Sequence, residues 1–338
     1  MKSIIPFAAF LWISLCAMGQ SPRIGLLSTG TPTTLRGLSV VSDSVVWVSG
    51  SNGMTGRSTD GGLTWSWHTV KGFEKTDFRD IEAFDAHTAV VIGVAEPAYI
   101  LKTTDGGETW KVVYTNAAKG MFLDAMDFAD ARQGMVIGDP IDGRVFIART
   151  SDGGDSWQEI PAANRPAADS GEAFFAASGS NLRFFNSRDH YLVSGGLRSR
   201  LFTPGATASL PIVQGKETTG ANSIDVWNAP GGVRRLVIAG GDFLADTASL
   251  NNCFYSADGG TTWQAPAVPP HGYRSCVIFI TEHKLLTCGL TGVDVSTDGG
   301  RHWTMVSQEG FHVCGKARTG TAVFLAGSKG KIAKLTGE

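Results

Sequence analysis

One eight-residue phrase recurs five times in this chain, as Ser58 to Trp65 (STDGGLTW), Thr103 to Trp110 (TTDGGETW), Thr150 to Trp157 (TSDGGDSW), Ser256 to Trp263 (SADGGTTW) and Ser296 to Trp303 (STDGGRHW). An aspartate followed by two glycines is a turn signal: the carboxylate accepts hydrogen bonds from its own turn, and glycine takes backbone angles that other residues resist. The closing Trp anchors the following strand by burying a large ring. A turn repeated at every unit is a structural device rather than one localised site, so Asp60, Asp105, Asp152, Asp258 and Asp298, with Trp65, Trp110, Trp157, Trp263 and Trp303, are read as scaffold. Repetition at this period restricts the fold to stacked small sheets, each of which buries its faces only against its neighbours.

A second marker counts the units. A β-branched or aromatic run ending in glycine stops at Gly50, Gly93, Gly138, Gly195, Gly240, Gly289 and Gly327, at intervals of 43, 45, 57, 45, 49 and 38 residues. An alternating run precedes each marker and another follows it, so each unit reads as a four-stranded meander. In the fourth unit, Arg200 to Gly205 (RLFTPG) replaces the Asp-rich turn. The seventh has only three strands, ending at Leu335. Arg23 to Leu27 supplies the fourth from the other end of the chain and removes the open sheet edges. The expected fold is all-β, a seven-bladed β-propeller of four-stranded antiparallel blades, with six blades as the alternative should the fourth unit be irregular.

Lys2, the apolar run Ile4 to Leu15 and Ala17-Met18-Gly19 form a signal-peptide pattern, giving a signal peptide over 1–19 and a single propeller domain over 20–338. Cys16 raises lipidation as a rival, but Leu15 before it is too large for such a processing site. The expected location is therefore secreted or periplasmic. No later segment has the ~18 consecutive apolar residues of a membrane span. A net charge of −2 leaves no footprint for nucleic acid. Cys253, Cys276, Cys288 and Cys314 permit two disulfides in three connectivities, or buried thiols. No metal spacing or dinucleotide loop is present, and no cofactor is expected. Asp242, Asp246, Asn251 and Asn252 supply oxygen donors but are unevenly spaced, as in an ordinary polar loop.

In a meandering blade, the start of the innermost strand and the turn after the second strand lie on one face, around the channel mouth. The polar residues expected there are Arg36, Arg79, Asp80, Asp124, Glu172, Arg274 and His312 from strand starts, and Asn52, Glu96, Asp139, Arg198 and Asp242 from turns. The arginines could clamp a carboxylate, sulfate or phosphate. Asp80, Asp139, Glu172 or Asp242 could pair as acid and base in glycoside hydrolysis. Alternatively, these groups neutralise one another as solvated ion pairs.

The repeated phrase is the Asp-box, or BNR repeat. The cadence Leu35-Arg36-Gly37-Leu38 or Phe78-Arg79-Asp80-Ile81, then the glycine marker, then the box, resembles the photosystem II stability and assembly factor family over nearly all of the chain after residue 19. That resemblance implies a noncatalytic exported propeller that holds a client protein during assembly, by an arginine-bearing face. A more distant resemblance is to sialidase-type Asp-box glycoside hydrolases. Those carry Arg-Ile-Pro where this chain has Arg23-Ile24-Gly25, and their nucleophilic Tyr has no clear counterpart among five tyrosines. The expected function is a protein-binding or assembly factor for an envelope or secreted client, with no catalytic residue assigned. The alternative is a glycan-binding or glycoside-hydrolysing propeller.

Overall fold

The computed structural model describes residues 22–28 and 31–337. The expected signal peptide over 1–19 lies outside the described residues. The described chain forms seven antiparallel sheets. Blade 1 is Leu35–Val40, Val46–Gly50, Met54–Ser58 and Ser66–Thr69, and blade 2 is Phe78–Ala83, Ala89–Gly93, Ala98–Thr103 and Lys111–Asn116. Blades 3 and 6 repeat the order, with innermost strands Leu123–Phe128 and Cys276–Phe279. In blade 4, Leu182–Phe184 is innermost, and the hairpin Arg200–Thr203 to Ala206–Ser209 turns through Pro204 and Gly205 in place of an Asp-box. Blade 5 has Thr219–Asn228, Arg234–Asp242 and Cys253–Ser256, with an outer bridge between Tyr255 and Gln264. Its sheet also takes in two short strands, Glu172–Ala173 and Gly195–Gly196, which tie blade 4 to blade 5, so Glu172 does not start blade 4's innermost strand as its position in the sequence implied.

Blade 7 closes as the repeat count implies. Arg23–Ser28 pairs with Ile332–Thr336, with Leu26 opposite Ala333, outside Val323–Ala326 and Val313–Lys316. Both ends of the ring thus share one sheet, and the edge on which an open propeller would aggregate is filled.

The hydrophobic core is divided among the blade interfaces. Val91 and Leu101 of blade 2 pack with Trp47 of blade 1, Met135 and Ile147 of blade 3 with Leu192 and Phe202 of blade 4, and Val237 of blade 5 with Val277 of blade 6. The largest cluster joins blades 6, 7 and 1 across the closure. Cys276, Cys288 and Cys314 lie in that cluster. The four cysteines among the described residues are buried free thiols, so no disulfide joins them.

The five Asp-boxes are built alike. In blade 1, Asp60 Oδ1 accepts from the Thr64 amide at 2.9 Å, Asp60 Oδ2 accepts from the Thr64 hydroxyl at 2.5 Å, and the Ser58 hydroxyl accepts from the Gly62 amide at 2.9 Å. Gly61 and Gly62 have φ of 75° and 88°, which a side chain would resist. The Thr64 hydroxyl and amide hold the Asp60 carboxyl down at about 2. Each box also donates a backbone amide to the turn between the first two strands of its own blade, as Gly61 to Ser44 and Gly106 to His87, both at 2.9 Å. The boxes therefore occupy the face opposite the channel mouth.

Trp303 is fully buried with its Nε1 donating to the Gly300 carbonyl at 3.1 Å, whereas Trp65 is only partly buried. Trp303→Ala is expected to cost about 3–5 kcal/mol, the range for deleting a buried large aromatic, and Trp65→Ala distinctly less. Urea denaturation of the two variants beside wild type measures the difference.

Candidate functional site at the channel mouth

The mouth residues are aimed by irregularities in the innermost strands. The pairing register slips by one residue between Leu35 and Gly37, between Phe78 and Asp80, between Leu123 and Ala125, and between Ala221 and Ser223. The extra residues are Arg36, Arg79, Asp124 and Asn222, one from each of blades 1, 2, 3 and 5. A β-bulge leaves a residue out of the ladder and re-aims its side chain. Here the device gathers polar groups from separate blades at one mouth.

Arg36, Arg79 and Asn222 line a cavity of about 420 Å³ together with Asp139, Tyr273 and His312, and Phe122, Phe174, Phe175 and Phe243 make it largely aromatic. Arg79 Nε pairs with Asp77 at 2.8 Å, and its guanidinium lies 5.6 Å from the centre of the Phe122 ring. Arg36 donates to the Ala177 carbonyl at 3.3 Å. Burial and the neighbouring Arg79 guanidinium lower the Arg36 pKa. Burial, with Arg36, Lys331 and Arg79, pushes His312 down to about 3, so the imidazole is neutral at physiological pH. This side of the pocket is electropositive and partly desolvated, a setting in which a carboxylate gains from bidentate contact.

Asp139 borders the same pocket and accepts from the Phe174 amide at 2.9 Å; burial raises its pKa. Asp124 is wholly buried, with no close, well-aligned hydrogen bond to its carboxylate and the Ala176 and Asp139 amides as its nearest donors. Burial first, and the Asp139 charge second, push its carboxyl well above the usual range, against the opposing pull of Arg79 and of the Ala176 and Asp139 amides. An ionised carboxylate at this depth without a close ion pair is costly, and protonation relieves it.

The segment 174–180 crosses the channel and floors the pocket. Arg79 Nη1 donates to the Ala176 carbonyl at 3.5 Å, Ser178 Oγ to the Ser275 carbonyl at 2.7 Å, and Ser180 Oγ to Ser223 Oγ at 2.7 Å, so the strap is held from blades 2, 5 and 6. Gly179 has φ of 68°, and a Cβ there would lie 2.2 Å from the Asp80 carboxyl carbon. Beyond the strap, a second cavity of about 290 Å³ is lined by Asp80, Glu82, Asp127, Arg183, Asp225 and Arg318, among others. Asp80 therefore belongs to this inner chamber, accepting from the Met126 amide at 2.7 Å. Arg183 Nε lies 3.5 Å from Asp225, and Arg318 Nη1 lies 3.2 Å from Glu82. Burial raises Glu82 to about 7 and Asp225 to about 6. Sequence reasoning missed this chamber, although alternate acids such as Asp80 and Glu82 on one innermost strand signalled it.

Of the remaining expected rim residues, Arg274 and Glu172 are engaged in the scaffold, whereas Arg198 and Asp242 stand in ion pairs at turns of the mouth face. Arg274 is fully buried and pairs with Asp294 through Nε at 2.7 Å, so it presents no charge at the surface. Glu172 is buried and accepts from Arg200 Nε at 2.9 Å and from the Ser194 hydroxyl. Arg198 is exposed, 3.8 Å from Asp169. Asp242 pairs with Lys216 at 3.3 Å and accepts from the Leu244 amide. Asn252 spends its amide on the Pro270 and Gly272 carbonyls. No cluster of metal-ligating side chains occurs among the described residues, and no helix there is long and apolar enough to cross a membrane.

The family model described as photosynthesis system II assembly factor YCF48 matches residues 25–120, and the BNR/Asp-box repeat model matches residues 254–265. The chain is a BNR-repeat propeller similar to YCF48. Among solved structures, YCF48 bound to D1 peptide shares 19% identity at a TM-score of 0.62, covering 96% of this chain and 97% of the other. YCF48 from Cyanidioschyzon merolae shares 16% identity at a TM-score of 0.65, over 92% and 98%. The Pan2 WD40 domain of Neurospora crassa, at 12% identity and a TM-score of 0.60 over 90% and 89%, has the same fold. At these identities the likeness of structures speaks for architecture alone. No curated protein sequence matches the chain.

Two outcomes test this geometry. With its folded pKa raised, Asp124 contributes stability that is present below the unfolded value near 4 and lost as pH rises through the folded value. Asp124→Asn, which imitates the protonated carboxyl, should leave the melting temperature at pH 4 nearly unchanged and flatten its decline as pH rises above that. Gly179→Ala forces a side chain into the left-handed region against Asp80 and should cost about 1–3 kcal/mol, read by denaturant midpoint.

Proposed function

We propose that this chain is a noncatalytic protein-binding propeller, an assembly or stability factor that receives a segment of a client polypeptide at the channel mouth. The observation that carries the reading is the pocket of Arg36, Arg79 and aromatic walls, in which a pair of neighbouring arginines has Asp77 as its close ion-pair partner. An acidic side chain or terminal carboxylate of a peptide suits such a pair, and the rings suit an adjoining apolar side chain. The solved relative titled as bound to a D1 peptide supports peptide binding as a use of this kind of propeller. The client acts outside the cytoplasm, in the envelope or exterior, on the strength of the signal-peptide pattern in residues 1–19. A glycan is the second reading, favoured by two carboxyls of raised pKa, Asp139 at the pocket wall and Asp124 behind it.

The test is affinity capture from the native envelope with wild type beside an Arg36→Glu/Arg79→Glu variant of equal melting temperature. A specific protein retained by wild type and reduced at least about tenfold in the variant, a loss of roughly 1.4 kcal/mol, supports the reading. Equal capture by both refutes the arginine pocket. Hydrolysis or retention of a sugar from a panel of neutral, acidic and sulfated polysaccharides would transfer the role to the glycan reading.

A further inference from the structure

The face that carries the pocket is not uniform around the ring. Ten large apolar side chains are exposed among the described residues, and five of them, Leu197, Phe243, Leu244, Leu250 and Leu290, stand in the turns after the second strands of blades 4, 5 and 6. Those turns all open on the mouth face. The equivalent turns of blades 1, 3 and 7 carry Asn52, Asp142 and Lys329 at their tips. Leu244 and Leu250 are 78% and 79% exposed, and nothing within the fold requires leucine there.

Backbone hydrogen bonds make the three turns one surface. The Gly215 amide donates to the Gly196 carbonyl at 3.2 Å and the Val213 amide to the Asn251 carbonyl at 2.9 Å, joining the turns of blades 4 and 5. The Asp246 carbonyl accepts from the Tyr273 amide at 2.8 Å and from the Thr291 hydroxyl at 3.3 Å, joining blades 5 and 6. Phe243 and Leu290 also line the pocket that Arg36 and Arg79 line from blades 1 and 2. Beside the apolar turns Lys216 pairs with Asp242 and Arg198 with Asp169, while Asp246 stands in the blade-5 turn between Leu244 and Leu250 and Glu217 adjoins Lys216. The crescent thus carries no excess of cationic charge, and the cationic charge open to a ligand lies at its pocket end.

We infer that the apolar crescent over blades 4 to 6 is a docking surface for an extended segment of a partner polypeptide, whose apolar residues cover Leu244 and Leu250 while an acidic group enters the pocket at Arg36 and Arg79. Charge complementarity fixes the orientation: the acidic end has its counter-charge on blades 1 and 2, whereas Asp246 in the blade-5 turn disfavours an acidic group over the crescent and leaves that stretch to apolar residues. A contiguous apolar surface on a soluble domain commonly marks such an interaction. The inference rests on the pocket being a peptide site and adds which residues its ligand carries and where they lie.

Fluorescence anisotropy tests it with a labelled ten-residue synthetic peptide bearing three leucines followed by two C-terminal glutamates, against wild type, Leu244→Asp/Leu250→Asp, Leu244→Ser/Leu250→Ser and Arg36→Glu/Arg79→Glu. Both leucine variants lie at exposed turns and should melt with wild type. Binding by wild type that weakens at least about tenfold in both leucine variants, and likewise when serines replace the peptide leucines, is the expected result. Unchanged affinity in the leucine variants, or no binding by wild type at millimolar peptide, overturns the inference. Loss in the leucine variants with full affinity in the arginine variant sustains the crescent and rejects the arginine pocket. Sedimentation that shows a wild-type dimer broken by the leucine changes would make the surface a self-contact and overturn it equally.

Discussion

The innermost strand of a propeller blade has a partner strand on one side only. Its other edge faces the channel, where backbone amides are screened from bulk water and must still be satisfied. In this protein the preceding blade supplies the acceptors. Ser39 Oγ takes the Ala83 amide at 3.0 Å, Asp80 Oδ2 the Met126 amide at 2.7 Å, Asp127 Oδ2 the Phe184 amide at 2.6 Å, and Asp225 Oδ2 the Phe279 amide at 2.6 Å. These ties set each blade's position against the next before any side chain at the mouth can be placed. They also account for the concentration of acids inside the channel, whose raised pKa values are a result of depth and are balanced by Arg183 and Arg318.

The mouth site follows from the same arrangement. Because the strands are fixed farther in, their starting ends can depart from regular pairing at little cost, and the slips at Arg36, Arg79, Asp124 and Asn222 occur there. The strap at 174–180 then divides the channel, so that the mouth holds two arginines against aromatic walls while the inner chamber holds most of the carboxylates. Both compartments hold mixed charge, Arg36 and Arg79 standing near Asp77 and Asp139 at the mouth, and Arg183 and Arg318 among the carboxylates within.

Much of this architecture is legible in the amino-acid order. The five Asp-boxes and seven glycine markers repeat because every blade solves the same turn problem, and the short seventh unit with Arg23 to Leu27 left over states how the ring closes. The 57-residue interval before Gly195 marks the place of the strap, but its path could not be read, since Phe174 to Ser180 form no strand and their partners are on distant blades. Position at the start of an innermost strand identified Arg36 and Arg79, which line the pocket. The same criterion selected Arg274, which turns inward to Asp294, and Asp80, which reaches the Met126 amide. Side-chain alternation has a period of two, and a single bulge reverses it. The crescent was not visible in the sequence because isolated leucines in turns carry no periodic pattern.

The pairing of Arg23–Ser28 with Ile332–Thr336 places the two ends of the ring in one sheet, and the Thr336 hydroxyl reaches the Arg23 carbonyl across 313 residues of sequence. A contact of that separation is among the last to form, because loop-closure entropy opposes it until everything between has been ordered. Blades 1 to 6 can acquire their strands as the chain is made, but the outer edge of Ile332–Thr336 stays bare until the first strand docks. Until that strand docks, the ring keeps an open sheet edge, the kind of edge on which chains pair wrongly.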